Sequence, residues 1–473
     1  MILVFGTVSL FALMGVAYSY ATKDQFQTVD AYLTARNALA TGPAAATTLA
    51  SIMGAWILFS PAEAGTWGGI TAFGGYAVAQ AAVIALYAVL GPRLRRLAPQ
   101  GSTLPEYVYY RYGKAMYLVV LTVSIFYMAV FLAAELTGIA LAVNLVAGVP
   151  LWLTALAVGG GTLVYAAYGG IRSSIFTDGI QTAVIIPTLI LAFAGTLSAL
   201  GGAGSVVTLV RQADPTLLSF GHRGGWEFTA TLLISVIAAN LFHQGFWSRV
   251  YACRDDAAVR NSFTLAGLLV VPVMVLAGSF GLFAVAGGYL TSPSSAMFEV
   301  ILAVAPAWVI NTVLVLAVAL VMSSADTLIN AIAGTFTVDI ARFRKDIDAG
   351  RLLFYARLLT GLVCAGVVAV AARGYSVLYL FFIADLVCSA AAFPTVYGLY
   401  GRRFSGGSAV AATLVGVAAG ALLFPDPAFT RGNLLYSFAA AFFIPVLLTL
   451  LLSRRGEEVD LEKLGERIHD VRM

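Results

Sequence analysis

Charge is scarce in this 473-residue chain: 11% of residues are Asp, Glu, Lys or Arg, against about 25% in an ordinary soluble domain. The 27 Lys and Arg set against 23 Asp and Glu leave a net charge of only +4, too small and too scattered for a nucleic-acid surface. Histidine and cysteine occur three times each, and Cys253, Cys364 and Cys388 stand singly. With no CxxC pair, neither a disulfide framework nor a zinc site is indicated. HExxH, GxSxG and GxxxxGK[ST] are all missing, and His222 and His469 fall in a loop and the tail. Catalysis therefore has no recognisable constellation, and the chain reads as a non-enzyme.

What the chain has is apolar length. Hydrophobic residues make up 60%, and mean hydropathy is +0.91. A helix needs about 20 apolar residues to cross the hydrocarbon, because it alone satisfies every backbone group internally. Thirteen candidate spans follow, at roughly 2–20, 44–62, 66–90, 117–146, 150–168, 176–200, 227–248, 262–288, 308–332, 352–372, 375–398, 409–424 and 434–452. The first lacks the basic start and small-residue cleavage site of a signal peptide and is kept as a span. The expected class is an all-α polytopic membrane protein, with the lipid bilayer as its main partner.

An N-terminus outside and a cytoplasmic C-terminus put every Lys and Arg except Arg211, Arg223, Arg373 and Arg431 on the inner side. That asymmetry sets the orientation in the cell membrane, plasma or bacterial inner. The organisation reads as a first span and cytoplasmic loop at 1–43, one repeat at 44–200, an external loop at 201–225, and a second repeat at 226–398. Two C-terminal spans at 399–452 and a cytoplasmic tail at 453–473 follow. The tail is too short for a sensor or nucleotide-binding domain.

Two spans are interrupted. The second, ATTLASIMGAWILFSPAEAGTWGG, carries Gly54 and Pro61, and the seventh, LLISVIAANLFHQGFWSRVYA, carries Asn240, His243, Gln244 and Gly245 near its end. They enter from opposite sides, so spans 2–6 and 7–11 can form halves of inverted topology. Broken helices at matching places in such halves point to a transporter's midplane site.

Ionisable groups at bilayer depth need a partner, a cavity or a function. The candidates are Glu63, Glu135, Asp178, His243, Asp326 and Asp385. In LVMSSADTLINAIAG, Ser323, Asp326, Thr327 and Asn330 share a helical face, a stripe of hard oxygens that suits a releasable cation. The same hydroxyls can instead bond back to carbonyls of their own helix or join neighbouring helices. His243 and Trp247, with Gln244 and Asn240 alongside, offer donors, acceptors and an aromatic wall to a polar solute, or a satisfied core histidine. Tyr127 and Glu135 share a face of the fourth span, where Glu135 can meet a cationic group or a neighbouring helix.

These segments together resemble the sodium:solute symporter family. The likeness runs from AYLTARNA through STLPEYVYYRYG and YGGIRSSIFTDGIQ to MSSADTLINAIAGTFTVDI. It implies the LeuT-type five-plus-five inverted repeat with flanking helices. It also implies sodium as coupling ion and no organic cofactor. The implied sodium ligands are the carbonyls of Ala50, Met53 and Leu320 and the hydroxyls of Ser323 and Ser324. A second cation site, present in some members, would involve Asp178, Asp326 and Thr327, with the last two standing where hydroxyl residues are usual. For the solute the resemblance implies Trp56 and His243, with Gln244 and Trp247 similar to the urea-transporter branch, although His243 replaces an acid there. Ile52 stands where sodium/proline cotransporters carry aspartate. The expected function is sodium-coupled import of a small polar solute, neutral or cationic, such as urea, an amide or an amine, by alternating access. A proton-coupled carrier through Asp178 or Asp326, a passive channel and a transporter-like sensor are the alternatives. The solute and the oligomeric state are not legible.

Overall fold

In a computed structural model, residues 2–21, 35–344, 347–427, 431–453 and 458–468 are described. The first half of the AYLTARNA motif, Arg454, Arg455 and His469 lie outside them. The described chain is helical, its only β pairing two isolated bridges. The helices are α1 (Ile2–Ala21), α2 (Thr41–Ile52), α3 (Ser60–Leu97), α4 (Leu104–Tyr112), α5 (Lys114–Ala147), α6 (Leu151–Ala199), α7 (Ala203–Ala213) and α8 (Arg223–Asn240). They continue as α9 (Gln244–Ala252), α10 (Asp256–Gly287), α11 (Ala296–Val304), α12 (Ala307–Phe343), α13 (Ala349–Ala371), α14 (Val377–Tyr397), α15 (Gly406–Leu423) and α16 (Leu434–Leu452).

Among the described residues ten helices are long and apolar enough to cross a membrane, or eleven when the bent pair α8–α9 counts as one span. The chain is an integral membrane protein. The count differs from thirteen apolar segments for two reasons. The 44–62 segment is not one helix: α2 stops at Ile52 and a 3₁₀ turn at Ala55–Leu58 precedes α3. The 150–168 and 176–200 segments run on as the single 49-residue α6, whose Leu151–Val164 part is short for a crossing. At 1.5 Å per residue, α6 is far longer than the roughly 30 Å of hydrocarbon.

α3, with 38 residues, is also too long for one crossing and is broken at Gly69, whose φ of 56° and ψ of −148° are non-helical. A side chain there would enter the Leu217 carbonyl, so glycine is required at this bend. The first part of α3 thus belongs to the broken segment that begins with α2.

Packing places the interrupted segments at the centre. α10 lies along α2 and α3, α12 packs on α5, α6 and α2, and α8 packs on α3 and α14. α15 and α16 pair with each other beside α14. The most apolar faces of α15 and α16 remain outward, with Leu414, Leu422, Phe443 and Leu451 exposed, as lipid requires. Buried polar residues gather instead on α2, α6, α9 and α12, among them Thr47, Asp178, Arg249 and Asp326.

Candidate functional site

The first break arises where α2 runs out. Met53 is extended (ψ 101°), Gly54 is fully extended (ψ −179°), and the 3₁₀ turn follows. A terminating helix leaves its last carbonyls without intrahelical donors. The Ile52 carbonyl is taken by Trp56 Nε1 at 3.1 Å. Among the described residues, no backbone N–H or side chain donates to the Ala50 or Met53 carbonyl. Gly54 is required by close approach, since a Cβ there would overlap the Glu135 carboxylate.

Glu135, fully buried on α5, ties this break to α12. Its Oε2 accepts the Ala55 N–H at 2.6 Å and the Ser324 hydroxyl at 2.7 Å. Its Oε1 is buried without a hydrogen-bond partner. Ser324 Oγ is also 3.1 Å from the Leu320 carbonyl, so the back-bonded alternative coexists with the carboxylate contact. Ser323 donates to Asp178 Oδ1 at 2.6 Å. Ser323 and Ser324 are both fully buried, and α12 packs against α2 and the 3₁₀ turn. A hydroxyl that gives its proton to a carboxylate keeps its lone pairs for another partner. The serine pair and the free carbonyls of α2 are thus hard acceptors on two adjoining elements.

One helical turn along α12, Asp178 and Thr327 come together on a side chain that sequence analysis did not single out, with Asp326 close by through Ser174. Arg249 on α9 pairs with Asp178 at 2.9 Å, both buried. The same Nη2 donates to Thr327 Oγ1 at 2.8 Å, and Nε lies 3.2 Å from Thr47 Oγ1. Asp326 accepts from Ser174 at 2.8 Å and Thr177 at 3.3 Å. Thr47 completes Asp178 at 2.5 Å. An arginine in an apolar span needs such partners, which was the available signal.

The second break, between α8 and α9, turns the chain by 62°. Two of its carbonyls are taken by side chains: Tyr87 Oη donates to the Asn240 carbonyl and Trp247 Nε1 to the Leu241 carbonyl, both at 2.7 Å. Trp247 packs on Tyr87 with centroids 4.7 Å apart, so it holds the break rather than facing a cavity. Gln244 is also turned away from any cavity; it donates to the Ser102 carbonyl at 2.6 Å and accepts from Leu104 N at 3.3 Å, fixing the entry to α4. There Glu106 closes a capping box, accepting from Ser102 N at 2.8 Å. Burial holds the Glu106 carboxyl above its usual range, with Arg342 pulling it back. His243 is buried against Phe246 at 4.5 Å and Phe131 at 5.5 Å, and neither ring nitrogen has a partner.

Trp56 and Tyr127 do line a cavity, with Tyr76, Gln80, Phe131, Phe381 and Asp385. It holds about 20 Å³, room for one water. A larger vestibule of about 420 Å³ shares Leu378 and Phe382 with it and is walled by Glu63, Glu227 and Trp67. Asp385 was legible only as a charge needing explanation; Tyr76, Gln80 and Phe381 were missed because they come from separate spans.

A bundle with a helix broken at its centre, packed against a long helix that carries a buried hydroxyl pair and set beside a central cavity, is the architecture of LeuT-type secondary transporters. The sequence pattern of the sodium:solute symporter family matches residues 32–416, and the chain belongs to that family. It is 27% identical to a spermidine transporter of Candida albicans over 75% of this chain and 66% of the relative. It is 26% identical to a urea active transporter of Saccharomyces cerevisiae over 98% of this chain and 70% of the relative. The chain thus spans about two thirds of the length of these relatives. The fold superposes on a substrate-bound, outward-open Na⁺-coupled sialic acid symporter with a TM-score of 0.78, at 17% identity, over 97% of this chain and 98% of that one.

Proposed function

We propose that the protein is a sodium-coupled secondary active symporter importing a small polar solute, neutral or cationic, by alternating access between inverted halves at 44–200 and 226–398. The observation that carries this reading is the bridge at Glu135, whose Oε2 takes both the Ala55 N–H of the first break and the Ser324 hydroxyl. One sodium ion is held by the Ala50, Met53 and Leu320 carbonyls and the Ser323 and Ser324 hydroxyls. Asp178 and Glu135, by accepting the two hydroxyl protons, turn the serine lone pairs toward that ion. The unpartnered Glu135 Oε1 is a further hard oxygen at this junction. Arg249 supplies the positive charge among Asp178, Asp326 and Thr327, which makes the stoichiometry one sodium ion per solute.

Because its ligands come from two elements, bound sodium favours the arrangement in which they touch. Sodium and solute then strengthen each other's binding reciprocally, and inward sodium movement supplies about 2.3 kcal/mol per 100 mV before the concentration gradient is counted. The N-terminus faces outside and the C-terminus the cytoplasm. The relatives named for spermidine and urea support an amine or amide as the transported solute.

Uptake of radiolabelled putrescine and urea into proteoliposomes tests this. An imposed inward sodium gradient should drive accumulation of at least one of them above equilibrium, a choline gradient should not, and Ser323→Ala with Ser324→Ala should abolish the difference. Normal sodium stimulation in a well-folded double variant would overturn the ligand assignment. Accumulation in sodium-free buffer that follows an imposed pH gradient would transfer the coupling to protons.

A further inference from the structure

Asp385 is a carboxylate with no counter-charge. It lies on α14 with 4% of its surface exposed, deep enough that an unpaired charge is costly unless something completes it. No Lys, Arg or His lies within ion-pair distance of it among the described residues. Contrast Asp178, equally buried, which has Arg249 at 2.9 Å. The cavity that Asp385 faces is lined by aromatic rings and a few polar side chains, Gln80, Asn240, Tyr76 and Tyr127. Gln80 contributes a buried Oε1 without a partner. Trp56 stacks on Tyr76 with centroids 5.6 Å apart and meets Phe381 edge-on at 6.1 Å, and Phe131 closes on Phe381 at 4.9 Å.

A pocket with one unpaired carboxylate, the amides of Gln80 and Asn240, two tyrosines and further aromatic rings favours a ligand that is positively charged and can donate. The carboxylate takes a charge-assisted N–H bond, and the ring quadrupoles attract the same cation. A neutral amide would use the acceptors but leave the carboxylate unneutralised, and an anion would be repelled. On the approach, the adjoining vestibule carries Glu63, whose Oε2 is buried without a partner, while Glu227 at its rim is paired with Arg223 at 2.8 Å. Leu378 and Phe382, shared by the two chambers, separate them.

We infer that the solute is an organic cation bearing a primary ammonium group, and that Asp385 is the residue that selects it, within a cage of Trp56, Tyr76 and Phe381. This rests on the reading of the cavity as the solute site and narrows it from polar solutes to amines. With only about 20 Å³ between the walls, the cavity admits an ammonium head and not a chain, so the alkyl part of the ligand extends toward the vestibule once Leu378 and Phe382 part.

The test is binding to the purified full chain, followed as a ligand-dependent shift of the thermal unfolding midpoint. The probes are n-butylammonium, putrescine, urea and acetamide. The amines should stabilise the wild type saturably, at concentrations at least about tenfold below those at which urea or acetamide acts. Asp385→Asn should raise the amine half-saturation about tenfold or more, the loss of one charge-assisted contact, while Asp385→Glu recovers part of it. Wild-type protein that prefers urea or acetamide, or a folded Asp385→Asn variant with unchanged amine half-saturation, would overturn the inference. The wild-type comparison decides the matter even if the asparagine variant does not fold. It also needs no sodium response, so a chain that ignores sodium yet selects amines loses the coupling and keeps the amine site.

Discussion

The two helix breaks end in opposite ways. At the second, between α8 and α9, the chain's own side chains take two of the freed carbonyls: Tyr87 and Trp247 donate to the Asn240 and Leu241 carbonyls, and Arg249 just beyond places a guanidinium against Asp178 and Thr327. At the first, after α2, the Ala50 and Met53 carbonyls receive no donor among the described residues, and the carboxylate that approaches keeps one oxygen without a partner there. An unwound helix in a membrane must have its polar groups completed by protein, water or ligand. A break whose carbonyls are taken by its own side chains is braced at those points. One left incomplete is a binding site, and what it lacks, positive charge facing hard oxygens, names the ligand.

The comparison can be broken most severely at Arg249. Arg249→Met removes the cation from the second region and leaves Asp178 buried and unpaired, which costs about 3–5 kcal/mol. The unfolding midpoint should fall steeply, and Arg249→Met with Asp178→Asn should recover most of the loss. A double variant no more stable than the single one would show that the pair is not what holds α9 to α6. A smaller effect separates the breaks themselves. Gly54→Ala would press a methyl into the Glu135 carboxylate, an overpacking cost of about 1–3 kcal/mol, and should erase the stabilisation that sodium chloride gives over choline chloride. Tyr87→Phe removes one hydrogen bond, about 1 kcal/mol, and should lower stability equally in both salts. If Tyr87→Phe changed the sodium response and Gly54→Ala did not, the roles assigned to the two breaks would be reversed.

Much of this was written in local pattern. Gly54 and Pro61 announced the first break, and the Ser323–Ser324 pair on an apolar helix announced its partner, because break residues and helical spacing act over a few positions. What was not legible depended on distant segments. Gln244 shares a helical neighbourhood with His243 in sequence, yet packing turns it to Ser102 and Leu104. Asp385 stood out only as a charge, since its cage is assembled from α3, α5, α14 and the 3₁₀ turn. Arg249 was visible too, but that its guanidinium sits between Asp178 and Thr327 follows from the 62° turn before it, which no periodicity encodes. The gap between the 150–168 and 176–200 segments read as a loop between two spans, whereas the single helix α6 runs through it.

Equilibrium binding of radioactive sodium to the purified protein, counted per chain, bears most directly on the central claim. The expected result is one saturable ion in the wild type, displaced by excess unlabelled sodium but not by choline, and none in the folded Ser323→Ala, Ser324→Ala variant. Two saturable ions per chain, or one that survives loss of both hydroxyls, would contradict it.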